Sequence, residues 1–152
     1  ARALADHPRD LRDDQLRAIA GAGGVVCINF YARFIDARMR LAMDEAELRA
    51  EQLDASDAGT RAQRLTALLA RIPPTPLSVL IDHIEHVARV AGIDHVGLGS
   101  DFDGVLLTPA RMDDVTALPR IAQALLDRGF GDEDVTKVLG ANVLRVMDAA
   151  TK

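Results

Sequence analysis

The stretch Gly92–Gly104, G-I-D-H-V-G-L-G-S-D-F-D-G, constrains this chain more than any other. Its middle, His95–Ser100, reads as a short strand, and Asp101-Phe102-Asp103-Gly104 reads as the loop at that strand's tip. Side chains alternate across a strand, so Asp101 shares a face with Gly99, Gly97 and His95, while Val96 and Leu98 lie on the other. One face is small or ionisable and the other is apolar. A barrel strand has this pattern when outer helices cover its apolar face and its inner face ends in a functional carboxylate. The inner glycines are expected to leave room beside Asp101 for a ligand or metal. Gly104 is expected to permit the turn and Asp103 to brace the loop.

The rest of the chain supplies a second strand and many helices. Val25–Tyr31 reads as a strand with Val26, Ile28 and Phe30 on one face, and Val25, Cys27, Asn29 and Tyr31 on the other. Ahead of it, Ala1–Asp10 is expected to be extended, because Pro8 disfavours helix at His7. Leu11–Ala20 reads as a helix whose start Leu11 and Leu16 staple if Arg12, a poor capping residue, is the N-cap. Asp36–Pro74 reads as a helical hairpin inserted in a loop. Met39, Met43, Ala46, Ala50 and Leu53 recur at helical spacing, Asp54–Gly59 breaks the pattern, and Arg61–Ile72 resumes it. Thr75-Pro76 predicts a helix start with Thr75 as the cap. Leu77, Leu80, Ile81, Ile84, Val87 and Ala91 then form an apolar stripe. Further helices are expected over Pro119–Arg128, over Asp132–Leu139 with a stop at Gly140, and over Asn142–Ala150 with Val143, Val146 and Met147 inward.

This order is α/β, with parallel strands joined by crossovers. Two strands are too few for a stable parallel sheet, so the pattern implies either hidden strands or a fragment. Length and composition suit one core, with 152 residues of which 49% are hydrophobic. A net charge of −5 without a basic stripe, and aromatics at 3% without Trp, argue against nucleic acid. No apolar run is long enough to span a bilayer. Cys27, the single cysteine, excludes an internal disulfide and reads as a small buried hydrophobe.

Two motifs compete for the chemistry. His83 and His86, with Glu85 between them, have the look of a zinc pair. They fall beside the apolar stripe of an outer helix, far from a strand tip, which favours structural hydrogen bonding or exposure. His95 reads as a buried, hydrogen-bonded histidine at the far end of its strand. The run Asp101-Phe102-Asp103-Gly104 resembles the signature of haloacid-dehalogenase-like phosphatases, in which the first Asp is a nucleophile beside magnesium. Against that reading, Gly97-Leu98-Gly99-Ser100 is a poor apolar lead strand, and the only plausible lysine, Lys137, comes after the acidic pair Asp113-Asp114.

Several segments, taken in order, resemble another family. They are Arg2-Ala3-Leu4 with His7-Pro8-Arg9-Asp10-Leu11, Gly24–Tyr31, Asp82-His83-Ile84-Glu85-His86 and Gly92–Gly104, followed by Leu118-Pro119, Ala124–Gly129 and Leu139-Gly140-Ala141-Asn142. Together they are similar to the membrane (renal) dipeptidase family, zinc dipeptidases built on a (β/α)8 barrel. The resemblance covers nearly everything outside the helical insertion at 36–74. It implies that residues 1–152 are the C-terminal portion of a TIM-type barrel and carry its last two strands. It matches Asp101 to the acid that contacts the catalytic water and the substrate amine. Arg9 matches the arginine that binds the substrate carboxylate, and Tyr31 a residue bordering the pocket.

The zinc ligands of the family fall upstream of Ala1, so no metal ligand carries over to any residue here. The implied cofactor is therefore a binuclear zinc centre held outside this chain. The implied partners are a dipeptide substrate, the remainder of the barrel or partner chains that supply it, and another copy of the chain. On this reading the segment alone is inactive. A truncated remnant or assembly piece is the non-catalytic alternative.

Overall fold

Leu80, Ile81, Ile84 and Val87 recur three and four residues apart, and each is at most 1% exposed. They form the inward stripe of helix α5 (Leu77–Ala91), against which the rest of the main core collects. The computed structural model describes residues 1–52 and 60–151; the break expected at Asp54–Gly59, and Leu53 before it, lie outside them. Along the chain come α1 (Asp13–Gly21), β1 (Val26–Ile28), α2 (Ala32–Ile35), α3 (Ala37–Gln52) and α4 (Arg61–Leu69). After α5 follow β2 (Val96–Leu98), α6 (Leu118–Asp127), α7 (Asp132–Thr136) and α8 (Asn142–Ala150). The molecule is rich in helix, with a small sheet.

β1 and β2 pair in parallel, with Val26 opposite Val96, Cys27 opposite Gly97 and Ile28 opposite Leu98. Both strands are shorter than the sequence pattern suggests. β2 begins late because Ile93–His95 forms a 3₁₀ turn after Gly92, whose φ of 96° suits glycine. Pairing nevertheless runs past the strand ends, through Gly99 N–H to Ile28 O at 2.9 Å and Phe30 N–H to Ser100 O at 3.3 Å. The alternation predicted for both strands holds on the apolar side. Ile28, Phe30 and Val96 are buried in the main core, with Val26 and Leu98 packed against it.

The other face differs from expectation. Cys27, expected to be buried, is exposed. Nor do Gly97 and Gly99 leave open room. A Cβ at Gly97 would lie 3.1 Å from both Cys27 Sγ and Val143 Cγ2, and one at Gly99 would lie 3.0 Å from Cys27 Cβ. The missing side chains let β2 close tightly on Cys27.

α8 clamps the opposite end of the strands. Buried Asn142 donates to Ile93 O at 2.7 Å and Val96 O at 2.8 Å, and Arg145 donates to Gly23 O and Asp94 O. Gly140 interrupts the helix as expected: its backbone leaves helical geometry there (φ 164°, ψ −23°), and α8 begins beyond that kink at Asn142. Met147, expected inward, is 58% exposed, since the inner contacts of α8 run through Asn142 and Val143.

Three other expectations shift. The opening ten residues fold into successive turns instead of an extended run, with Ala5 N–H bonded to Ala1 O and Asp10 N–H to His7 O. Arg12 does occupy the N-cap of α1, where its N–H donates to Gln15 Oε1 at 2.9 Å, and Leu11 packs with the core that holds Leu16. Thr75 is not the cap of α5; Pro76 is. The buried Thr75 hydroxyl instead donates to Asp36 Oδ2 at 2.9 Å. Asp36 Oδ1 accepts from Arg38 N–H and Met39 N–H at the start of α3, so one carboxylate holds both ends of the 36–74 segment. Within it, Met39, Met43, Ala46 and Leu69 make a separate small core with Ala32.

Candidate functional site

The two strand tips are built differently and meet through one side chain. After β1, Asn29 Oδ1 accepts the N–H of Tyr31 at 2.7 Å, an Asx-type turn that ends the strand and starts α2. After β2, Asp101 and Asp103 both take left-handed backbone, with φ of 63° and 66°. Aspartate tolerates that region better than most residues, and its cost is characteristic of sites where geometry matters. Gly104 N–H closes the turn on Asp101 O at 3.1 Å.

The glycine at 104 has a second effect besides the expected turn: a Cβ there would crowd Asp101 Oδ1 and push the carboxylate aside, so the absent side chain makes space for it. The loop is held to the core by Phe102, which meets buried Phe30 edge-on at 5.7 Å. Across the tips, Asn29 Nδ2 donates to Asp101 Oδ2 at 2.9 Å.

Tyr31 and Arg9 converge on a residue the sequence reading passed over. Phe34, in α2, meets Tyr31 at 4.8 Å in a near-perpendicular arrangement and His7 at 4.6 Å. The Arg9 guanidinium lies 5.4 Å from the centre of the same ring, within cation–π range. Arg9 is exposed at this point, and its backbone N–H donates to His7 Nδ1. Arg9, Phe34, Tyr31, Asn29 and Asp101 are thus linked side by side along the C-terminal ends of both strands. The only advance signal for Phe34 was its place three residues after Tyr31. Asn29 was visible on the more polar face of β1 but had no assigned partner.

Beside this line, a cavity of about 200 Å³ opens along β1, lined among others by Arg9, Asp10, Leu16, Asn29 and Phe34. Burial pushes the Asp10 carboxyl above the usual range. No residue of β2 borders the cavity, so it follows the edge of β1 away from its partner.

The histidines serve structure. His83 is 1% exposed, and its Nε2 bonds Ile35 O at 2.9 Å. Burial above all lowers its pKa to about 4. His86 Nε2 meets Asp13 Oδ1 at 2.7 Å, tying α5 to α1, and His95 Nδ1 meets Gly24 O at 2.7 Å. Among the described residues no three His, Cys, Asp or Glu side chains converge as a metal site. The described donors therefore do not form a metal centre by themselves, and no residue here is assigned a ligand role.

The sequence model of the membrane dipeptidase family (peptidase family M19) matches residues 1–152. Dipeptidase verJ of Clonostachys rogersoniana is 34% identical over 146 residues, which cover 96% of this chain and 29% of that protein. An uncharacterised protein from the pqqA 5′ region of Klebsiella pneumoniae is 37% identical over 147 residues, 97% of this chain and 43% of its own. Among solved structures, the probable dipeptidase PvdM from Pseudomonas aeruginosa superposes with a TM-score of 0.71 at 29% identity. That match covers 95% of this chain and 41% of that one. The chain thus spans less than half the length of each of these relatives.

Proposed function

This chain belongs to the membrane dipeptidase family, and from that premise we propose that it is the C-terminal part of a zinc-dependent dipeptidase, with β1 and β2 as the last two strands of a (β/α)8 barrel. Residues 36–74 are then an insertion between those strands. The binuclear zinc centre is held by residues outside this chain. The phosphatase reading of Asp101 is not favoured, since the family match runs through that residue and across all of residues 1–152.

One observation carries the assignment of roles. Asp101, at the C-terminal tip of β2, is hydrogen-bonded to Asn29 at the tip of β1, and Arg9 and Tyr31 meet on Phe34 beside it. Active sites of parallel barrels lie at this end of the strands. Arg9 pairs with the free carboxylate of a dipeptide, which a guanidinium can grip through two parallel hydrogen bonds. Tyr31 and Phe34 wall the pocket. Asp101 takes a proton from the attacking water as its oxygen adds to the scissile carbonyl, then delivers that proton to the nitrogen as the C–N bond breaks.

In the full-length protein, Asp101→Asn should lower kcat for dipeptides by about 10²-fold or more while leaving the zinc content unchanged. Metal analysis and turnover on the same sample decide it, and near-normal turnover would sink the assignment. The segment alone, lacking the ligands, should not hydrolyse dipeptides.

A further inference from the structure

Asn29 bridges the two strand tips. Building on the dipeptidase reading, we infer that Asn29 is a positioning residue for Asp101, fixing the direction of its carboxylate and joining that direction to the pocket wall at Tyr31. The amide can serve in one orientation only. Asp101 Oδ2 takes a hydrogen bond from Nδ2 at 2.9 Å, and Tyr31 N–H gives one to Oδ1 at 2.7 Å. An ionised carboxylate only accepts and a backbone N–H only donates, so a reversed amide would set acceptor against acceptor and donor against donor.

On its other side, Asp101 Oδ1 sits in the space that Gly104 leaves by having no side chain. The left-handed backbone at Asp101 aims the side chain, and the Phe30–Ser100 bond holds the two tips together. Asp101 is otherwise exposed, where a free side chain would sample several rotamers. Held by Asn29, it needs no reorganisation when a proton is transferred, which is where preorganised groups gain their effect.

The test uses the full-length enzyme and two variants. Asn29→Asp keeps an acceptor for Tyr31 N–H but sets a second carboxylate against Asp101. The other ionisable groups around Asp101 are Asp103 in its own loop, Tyr31 and Cys27 on the β1 side, and Arg9 beyond Phe34. Asn29→Asp is expected to lower kcat at least about tenfold with KM within about twofold, the signature of an interaction that matters in the transition state. The acid limb of the kcat profile should also move to higher pH, because one of two facing carboxylates retains its proton. Asn29→Ser, which removes the amide without adding charge, should lose about tenfold in kcat with the limb in place, and it decides the matter if Asn29→Asp does not fold. Wild-type kcat in either variant, or an unmoved acid limb in Asn29→Asp, overturns the inference. If the unsubstituted enzyme hydrolyses no dipeptide, the dipeptidase reading fails instead. The inference is then decided by ¹³C NMR titration of the Asp101 carboxyl: a raised midpoint in Asn29→Asp supports it and an unchanged one refutes it.

Discussion

The two faces of the sheet are made from alternate residues of the same short strands, yet they do different work. On one, Ile28, Phe30 and Val96 disappear into a core shared with Leu80, Ile84 and Val87 of α5. On the other, Cys27, Asn29, Gly97 and Gly99 are small or polar, and Cys27 stays exposed. Burial of apolar area stabilises the first face at roughly 25 cal/mol per Å². The second contributes little of that kind, and this leaves it free to carry Asn29 and Asp101 in a demanding arrangement. On the proposed roles, stability and chemistry are separated by the two-residue period of a strand, and neighbours in sequence fall under different constraints.

The largest test of that contrast uses adjacent residues. Ile28→Ala should destabilise the chain by about 2–4 kcal/mol, through lost burial and a residual cavity. Cys27→Ala should stay within about 0.5 kcal/mol, as for exposed positions generally. Chemical denaturation of both variants measures the difference, and comparable losses would break the distinction between faces.

A smaller effect is expected at the pocket. Arg9→Ala in the full-length enzyme should cost about tenfold more in kcat/KM for a dipeptide with a free carboxylate than for its amidated analogue, since only the first offers a partner charge. Equal losses would give Arg9 a packing role on Phe34 instead.

A pH-dependent effect lies on the core side. The buried His83 has its pKa lowered to about 4, so the folded state resists a proton that the unfolded chain accepts near pH 6.5. The resulting stabilisation is complete above pH 6.5 and is lost as the pH falls from there through 4. Tm followed across that range should decline, and His83→Gln should flatten the decline. Asp10, whose carboxyl is pushed up by burial, works in the opposite sense, and the variant isolates the histidine from it.

What was legible in the sequence followed periodicity. The parity of Ile28 and Phe30, the inward residues Leu80, Ile81, Ile84 and Val87 of α5, and the spacing of Met39, Met43, Ala46 and Ala50 all predict burial that the fold displays, and Val26 packs against the same core. What was not legible depended on contacts between distant segments. Asn29 and Asp101 are 72 residues apart, and nothing local marks their hydrogen bond. Thr75 had the look of a cap, but its hydroxyl goes to Asp36, 39 residues away. Met147 followed a helical pattern, but α8 is anchored through Asn142 and Arg145, which turn that residue to the surface. Gly104 drew notice as a turn former, whereas its close approach to a carboxylate is visible only in three dimensions.

The left-handed backbone at Asp101 and Asp103 also shapes what a mutational library of this loop would return. Positive φ penalises β-branched and bulky residues and leaves Gly, Asn and Asp as the tolerated set. At position 103 a selection for folding and a selection for turnover should accept the same few substitutions. At position 101 they should part if Asp101 has its proposed role, because Asn fits the backbone as well as Asp but cannot carry a proton. The substitution that best preserves the fold at 101 is therefore the one a folding screen would pass and an activity screen would reject.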